Sequence, residues 1–125
     1  MSKLVAAGLI VSGLATRYAP DTMSEVVQNR VRWGQVDLSV EHDGYVALLD
    51  AEHIGRTVYL EMPDGTVSGP HLVADCAQEK HRGSLIERGW AVDLSYELAM
   101  ELGVTNGPLP GVRVWDSRPG QVRWQ

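Results

Sequence analysis

At 125 residues with 44% hydrophobic content, the chain carries enough apolar material for one domain with one core and too little for two. Eleven Lys and Arg against 16 Asp and Glu leave a net charge of −5 with no basic run, which argues against a nucleic-acid partner, whose phosphates need clustered cations, and leaves neutral polymers such as polysaccharides open. A single cysteine, Cys76, excludes an intrachain disulfide and any Cys-rich zinc framework.

The chain opens on "LVAAGLIVSGLATRYA", an apolar stretch interrupted by Gly8 and Gly13 that predicts one or two strands with a bend or bulge. Lys3 ahead of this run, and "GLA" within it, give it some look of a secretory signal with a cleavage site. Against that, "VSG" at 11–13 recurs at 67–69, so cleavage there would remove part of the domain. A native first strand is the preferred reading: a core over about 11–115, with 1–10 a signal remnant or an extra strand. The run is too short for a transmembrane helix, so no membrane span is expected.

Next, Thr22 and Glu25 have the spacing of a capping box, and Met23, Val26, Val27 and Val31 share one face, predicting a short helix over 23–31. "TVYLEM" and "TVSGPHLVAD" then read as two strands joined by a turn at Pro63, Asp64 and Gly65. "EKHRGSLIERGW" reads as a charged loop, and "GWAVDLS" and "GVRVW" as two short strands bounded by glycines. Between them Ser95 is a candidate N-cap, Glu97 suits the first helical turn, and Leu98, Ala99 and Leu102 make a buried stripe before Gly103. The tail "DSRPGQVRWQ" is expected to be loop and a final edge segment.

One pattern cuts across these elements. "WGQVDLSVE" (33–41) returns as "GWAVDLSYE" (89–97), displaced by the same 56 residues as the two "VSG" copies (92 − 36 and 67 − 11). A unit of that size cannot bury a core alone. Two copies related by a pseudo-twofold can interleave their strands into a closed barrel without exposed edges.

"GLATRYAP", "GPHLVADC", "RGWAVDLSYELAMELG" and "GVRVW", in this order over about 13–115, resemble the double-psi β-barrel of the RlpA-like, expansin-like and barwin-like group. The resemblance implies an all-β fold of six strands in two interlocked halves with two short helices, the two Val-Asp-Leu-Ser copies being equivalent strand ends. It also implies a cell-wall glycan partner, an extracytoplasmic location in the secreted or cell-envelope space, no cofactor, and in some members lytic transglycosylase activity on peptidoglycan. Such chemistry needs a carboxylic acid to protonate the glycosidic oxygen and a neighbour to steady the developing cation or take the hydroxyl proton. Asp93 occupies the Asp-Leu-Ser position and Asp75 the loop after the central strand, so these two are the expected catalytic carboxylates. Asp37 matches the Asp of the "Gly-Glu-x-x-Asp" segment of the transglycosylase branch, and Tyr18 the groove-facing "T-x-Y" position.

The sequence departs from that branch at Gln35, an amide where it has an acid, and in "VALLDAEHIG", where His53 is displaced from the branch's histidine. Two other readings therefore stand beside the enzyme: a non-catalytic carbohydrate-binding or protein-interaction barrel, and a barrel made for the fold itself. Asp93 also has a scaffold reading, as a strand-end carboxylate accepting backbone N–H bonds. Asp75, Cys76 and His81 make too thin a set for a metal, and none is expected. A Cys76–His81 nucleophilic pair lacks an orienting third group. Tyr18, Trp33, Tyr45 and Trp90 are rings with a polar handle that could stack on sugars. His81 and Arg82 are secondary substrate-binding candidates from the charged loop, and Trp90 joins the same set.

Overall fold

The computed structural model describes residues 4–120 and 122–124. Residues 1–3, on which part of the signal reading rests, lie outside them. The strands are β1 (Leu4–Ala6), β2 (Leu9–Arg17), β3 (Tyr45–Leu48), β4 (Thr57–Glu61), β5 (Val67–Cys76), β6 (Trp90–Leu94), β7 (Leu109–Trp115) and β8 (Val122–Trp124). The helices are α1 (Thr22–Arg32), α2 (Glu79–Glu87) and α3 (Tyr96–Leu102), with a single 3-10 turn at Ala51–His53. β1 and β8 pair as a separate antiparallel ribbon, so part of 1–10 is an extra strand.

The other six strands close into a barrel in the order β2-β6-β3-β5-β4-β7. If the chain is divided into β2, β3, β4 and β5, β6, β7, neighbours around the barrel always come from opposite halves, and exchanging the halves returns the same cyclic order. The expected six-stranded barrel with a pseudo-twofold is therefore present in the connectivity. β2 runs parallel to β6 and antiparallel to β7, while β5 runs parallel to β3 and antiparallel to β4.

The shared 56-residue offset marks the two long strands. Gly13 and Gly69 both hold positive φ, 152° and 134°, beside register slips in the β2/β7 and β4/β5 ladders. A Cβ on Gly13 would lie 2.1 Å from the Gly89 carbonyl oxygen, and one on Gly69 would lie 2.7 Å from the Tyr59 ring. Each "VSG" thus places its glycine where neighbouring atoms leave no room for a side chain and the strand bulges.

The Val-Asp-Leu-Ser copies are not equivalent. The second ends β6, but the first lies in the loop between α1 and β3, and the strand that answers β6 across the pseudo-twofold is β3. What Asp37 does instead is turn the chain, its Oδ1 accepting from the Ser39 amide and hydroxyl at 2.9 and 2.7 Å.

Three helical expectations also change. The capping box does not form: Thr22 is the first helical residue, Asp21 is the N-cap, and Ser24 Oγ donates to the Asp21 carbonyl at 2.9 Å. The buried stripe of α1 is Met23 and Val27, with Val31 40% exposed. The charged "loop" contains α2, a helix without a buried residue. α3 follows expectation, with Ser95 at the N-cap position and Gly103 closing it at φ 80°. The predicted turn also forms between β4 and β5, with the Gly65 amide donating to the Met62 carbonyl at 2.8 Å.

Inward-facing Val46, Leu48, Val58, Leu60, Val73, Val92, Leu94, Val112 and Val114 fill the barrel, with Leu98, Ala99 and Val104 packed against them. A smaller cluster of Met23, Val27 and Ala74 docks α1 on the outside of β5, with Tyr18 and Tyr45 alongside.

Among the described residues, the polar side chain of His71 is fully enclosed. Its Nδ1–H donates to the Asp43 carbonyl. That bond leaves Nε2 as the acceptor for the Ser68 hydroxyl at 2.8 Å. Burial pushes the His71 pKa down, while the bond to Asp43 and the charges of Asp43 and Glu101 draw it partly back. The folded state thus takes the proton less readily than the unfolded one, so stability is expected to fall as pH drops below about 6.5. In an Asp93→Asn background, which removes the opposing titration of that acid, the melting temperature should decline between pH 7.5 and 5.5. His71→Gln should flatten that slope, and an unchanged slope would refute the assignment.

Candidate functional site

The ends of β2 and β6 line a groove of about 450 Å³. Register explains why polar groups meet there. Thr16 pairs with Asp93, Asp93 with Ala47, and Ala47 with Asp75, giving one row across β2, β6, β3 and β5. Adjacent strands lie roughly 4.8 Å apart, so the two aspartates are rooted about 10 Å from one another, with only the small side chain of Ala47 between them.

Asp93, Ala47, Thr16, Tyr18, Cys76 and Trp90 all line this groove. Asp93 Oδ1 is buried without a hydrogen-bond partner among the described residues. Burial pushes the Asp93 pKa up to about 6, and the Asp75 charge adds to the rise; the Thr16 hydroxyl and the Leu94 amide oppose it. The Trp90 indole N–H donates to Thr16 Oγ1 at 2.8 Å, fixing that hydroxyl beside the acid. Trp90 is nearly buried, 8% exposed, so it forms a wall of the groove and offers little ring face.

Asp75 is placed differently. Its Oδ2 accepts from the Tyr18 hydroxyl at 2.6 Å, and its Oδ1 accepts from Arg30 Nη2 at 2.8 Å and from the Cys76 amide at 2.9 Å. A carboxylate so occupied sits behind Tyr18 and is not a free acid. Tyr18 is the proton donor in that bond, and burial, the bond and the Asp75 charge all drive its pKa upward. The Cys76 thiol is likewise pushed up, by burial first and then by Asp75, so it is not an activated nucleophile.

Arg30 is the residue that sequence reading missed. It reaches Asp75 from α1, its Nη1 also donates to Gln35 Oε1 at 2.8 Å, and its guanidinium lies 5.9 Å from the Trp33 ring. Gln35 therefore anchors Arg30, and Trp33, 62% exposed, stands on the outer side of the same arginine. Thr16 lay within the quoted "GLATRYA" and was not singled out; Arg17, Arg88 and Leu85 also line the groove.

The other candidates lie elsewhere. Asp37 is in its exposed turn, where the Ser39 bonds hold its pKa down. His81 is exposed on α2, and Arg82 pairs with Asp50 at 2.9 Å; neither lines the groove. Among the described residues, Asp50, Glu52 and His53 bring ligand atoms within 4.8 Å of one another. Arg82 already occupies Asp50, and the Asp75, Cys76 and His81 set does not assemble. No helix of the described residues is long and apolar enough to cross a membrane.

Compared with protein-family models, curated proteins and solved structures, the chain gives no match.

Proposed function

We propose that this barrel is a double-psi domain of the RlpA-like and expansin-like kind that engages cell-wall glycan in the groove over Asp93, with Asp93 as its single acid. The supporting observation is a carboxyl group that lines an open groove while one of its oxygens, Oδ1, is buried and unpartnered among the described residues, its pKa pushed up to about 6. At mildly acidic pH that group carries a proton, and Asp93 belongs to the lining of a groove with room for sugar.

Asp75 is committed to Arg30 and Tyr18, so the two free carboxylates of ordinary glycoside hydrolysis are not available. The reaction that fits one acid is lytic. Asp93 protonates the leaving oxygen, the glycosidic bond breaks, a hydroxyl of the same sugar attacks the anomeric carbon, and its proton returns to the Asp93 carboxylate. Thr16, held by Trp90, lies beside the acid and is suited to orient the sugar. On this reading the protein works in the extracytoplasmic space.

A second reading is a binding module without turnover. It is favoured by the closed set of bonds around Asp75, which resembles scaffolding more than a catalytic pair. Incubation with purified peptidoglycan sacculi and with cellulose, followed by pull-down and by assay of soluble fragments, separates the two. Release of fragments supports the enzyme and retention without release supports the module. Absence of both would refute glycan recognition.

A further inference from the structure

We propose that Arg17 and Arg88 make this groove selective for glycans that carry carboxylates, an inference that rests on the glycan reading above. The chain as a whole is acidic, at −5, yet the groove is not. Its lining contains one carboxyl residue, Asp93, and two arginines, Arg17 and Arg88. Asp75, behind Tyr18, is balanced by Arg30. Asp93 loses its charge as pH falls through about 6. Arg17 and Arg88 form no ion pair with a carboxylate among the described residues, whereas Arg30, Arg82 and Arg113 each do.

The two arginines differ in how firmly they are held. Arg17 is braced, its Nε donating to the Thr105 carbonyl at 3.4 Å and its guanidinium lying 5.4 Å from the Tyr96 ring. The Arg88 side chain makes no hydrogen bond among the described residues and is exposed at the opposite end of the groove wall. Arg17 pairs with Leu94 at one end of the β2/β6 ladder, and Arg88 precedes Trp90, which pairs with Leu14 at the other. At about 3.3 Å per extended residue, the two are rooted roughly 10–15 Å apart. That spacing suits carboxylates on separate sugars of a polymer rather than one small acid. Guanidinium groups recognise such carboxylates through paired N–H donors.

The test is binding of the full chain, by calorimetry at low salt, to matched ligands. One pair is hexagalacturonate and its carboxyl-reduced counterpart; the other is a lactyl-bearing peptidoglycan glycan strand and chitohexaose. The expected result is a preference of about tenfold for the carboxylated member of at least one pair, shrinking with added salt. Arg88→Ala should reduce the preference to about threefold or less, and Arg88→Lys should restore only part of it. The member of the carboxylated set that binds tighter identifies the source of the carboxylate, uronate or lactyl ether. Equal affinity within both pairs, or an unchanged preference in Arg88→Ala with its melting temperature intact, overturns the inference and leaves glycan recognition standing. No binding to any of the four overturns both.

Discussion

Asp93→Asn is expected to stabilise the protein at pH 7.5 by about 1–2 kcal/mol and, on the lytic reading proposed above, to abolish release of glycan fragments. The folded state raises the Asp93 pKa from 3.8 to about 6, because the ionised carboxylate is buried with one oxygen unpartnered. A gap of about 2 pKa units corresponds to roughly 3 kcal/mol at 1.36 kcal/mol per unit. Partial exposure, and weaker interactions of an amide with Thr16 and Leu94, reduce that figure. The sign follows from the direction of the shift. A carboxyl group with a raised folded pKa contributes most below its unfolded value near 3.8, and that contribution is lost as pH rises through about 6. Asparagine stays neutral throughout, so its advantage should be full above pH 7 and gone near pH 4. Urea titrations at pH 7.5 and 4.5 read the difference directly. Equal destabilisation at both pH values would show that Asp93 is a scaffold carboxylate accepting backbone N–H bonds, which would refute its role as the acid. A residue whose ionised form costs stability, and whose replacement improves it, is the kind of group that active sites retain for function.

Arg30→Ala should cost about 2–3 kcal/mol. The guanidinium and the Asp75 carboxylate are each 19% exposed in their side chains and meet at 2.8 Å. Removing the cation leaves a mostly buried carboxylate with only the Tyr18 hydroxyl and one amide, and a broken buried pair is more costly than a pair replaced whole. Loss of the bond to Gln35 and of packing on Trp33 adds to the effect. In Arg30→Ala/Asp75→Asn the second substitution should recover 1 kcal/mol or more of that loss, about the size of one charge-assisted hydrogen bond. Additive losses across the cycle, measured by chemical denaturation, would show that the two side chains do not depend on each other.

Much of the barrel could be read from the sequence, because glycines and alternating apolar residues announce strands and bulges directly. The repeat told the truth at 11–13 and 67–69, where steric crowding demands glycine, and misled at 36–39, where a similar string serves a turn. α2 went unread because a helix with no buried residue has no apolar stripe to reveal it. In the site, Asp93, Tyr18 and Trp90 were legible as parts of short motifs. Arg30 was not, since its partner lies 45 residues away. Yet a signal was present: Met23, Val27 and Arg30 follow one another at i, i+4 and i+7, so the arginine stands on the packed face of α1. Extending that stripe to Val31 hid a cation that required a buried anion.

The strict alternation of halves around the barrel bears on how the chain finds its fold. No strand of β2, β3 and β4 is hydrogen-bonded to another strand of that set, and the same holds for β5, β6 and β7. The one pairing between barrel strands that follow directly in sequence is the β4/β5 hairpin, closed by Pro63, Asp64 and Gly65, which straddles the boundary between the halves. Growth outward from that hairpin has to recruit segments from both directions, and β2 stays without a partner until β6 or β7 is present. Such late, long-range closure favours slow folding and a prolonged period with the first barrel strand, β2, unsatisfied. Neither half amounts to a folding unit, and the barrel is acquired by the chain as a whole.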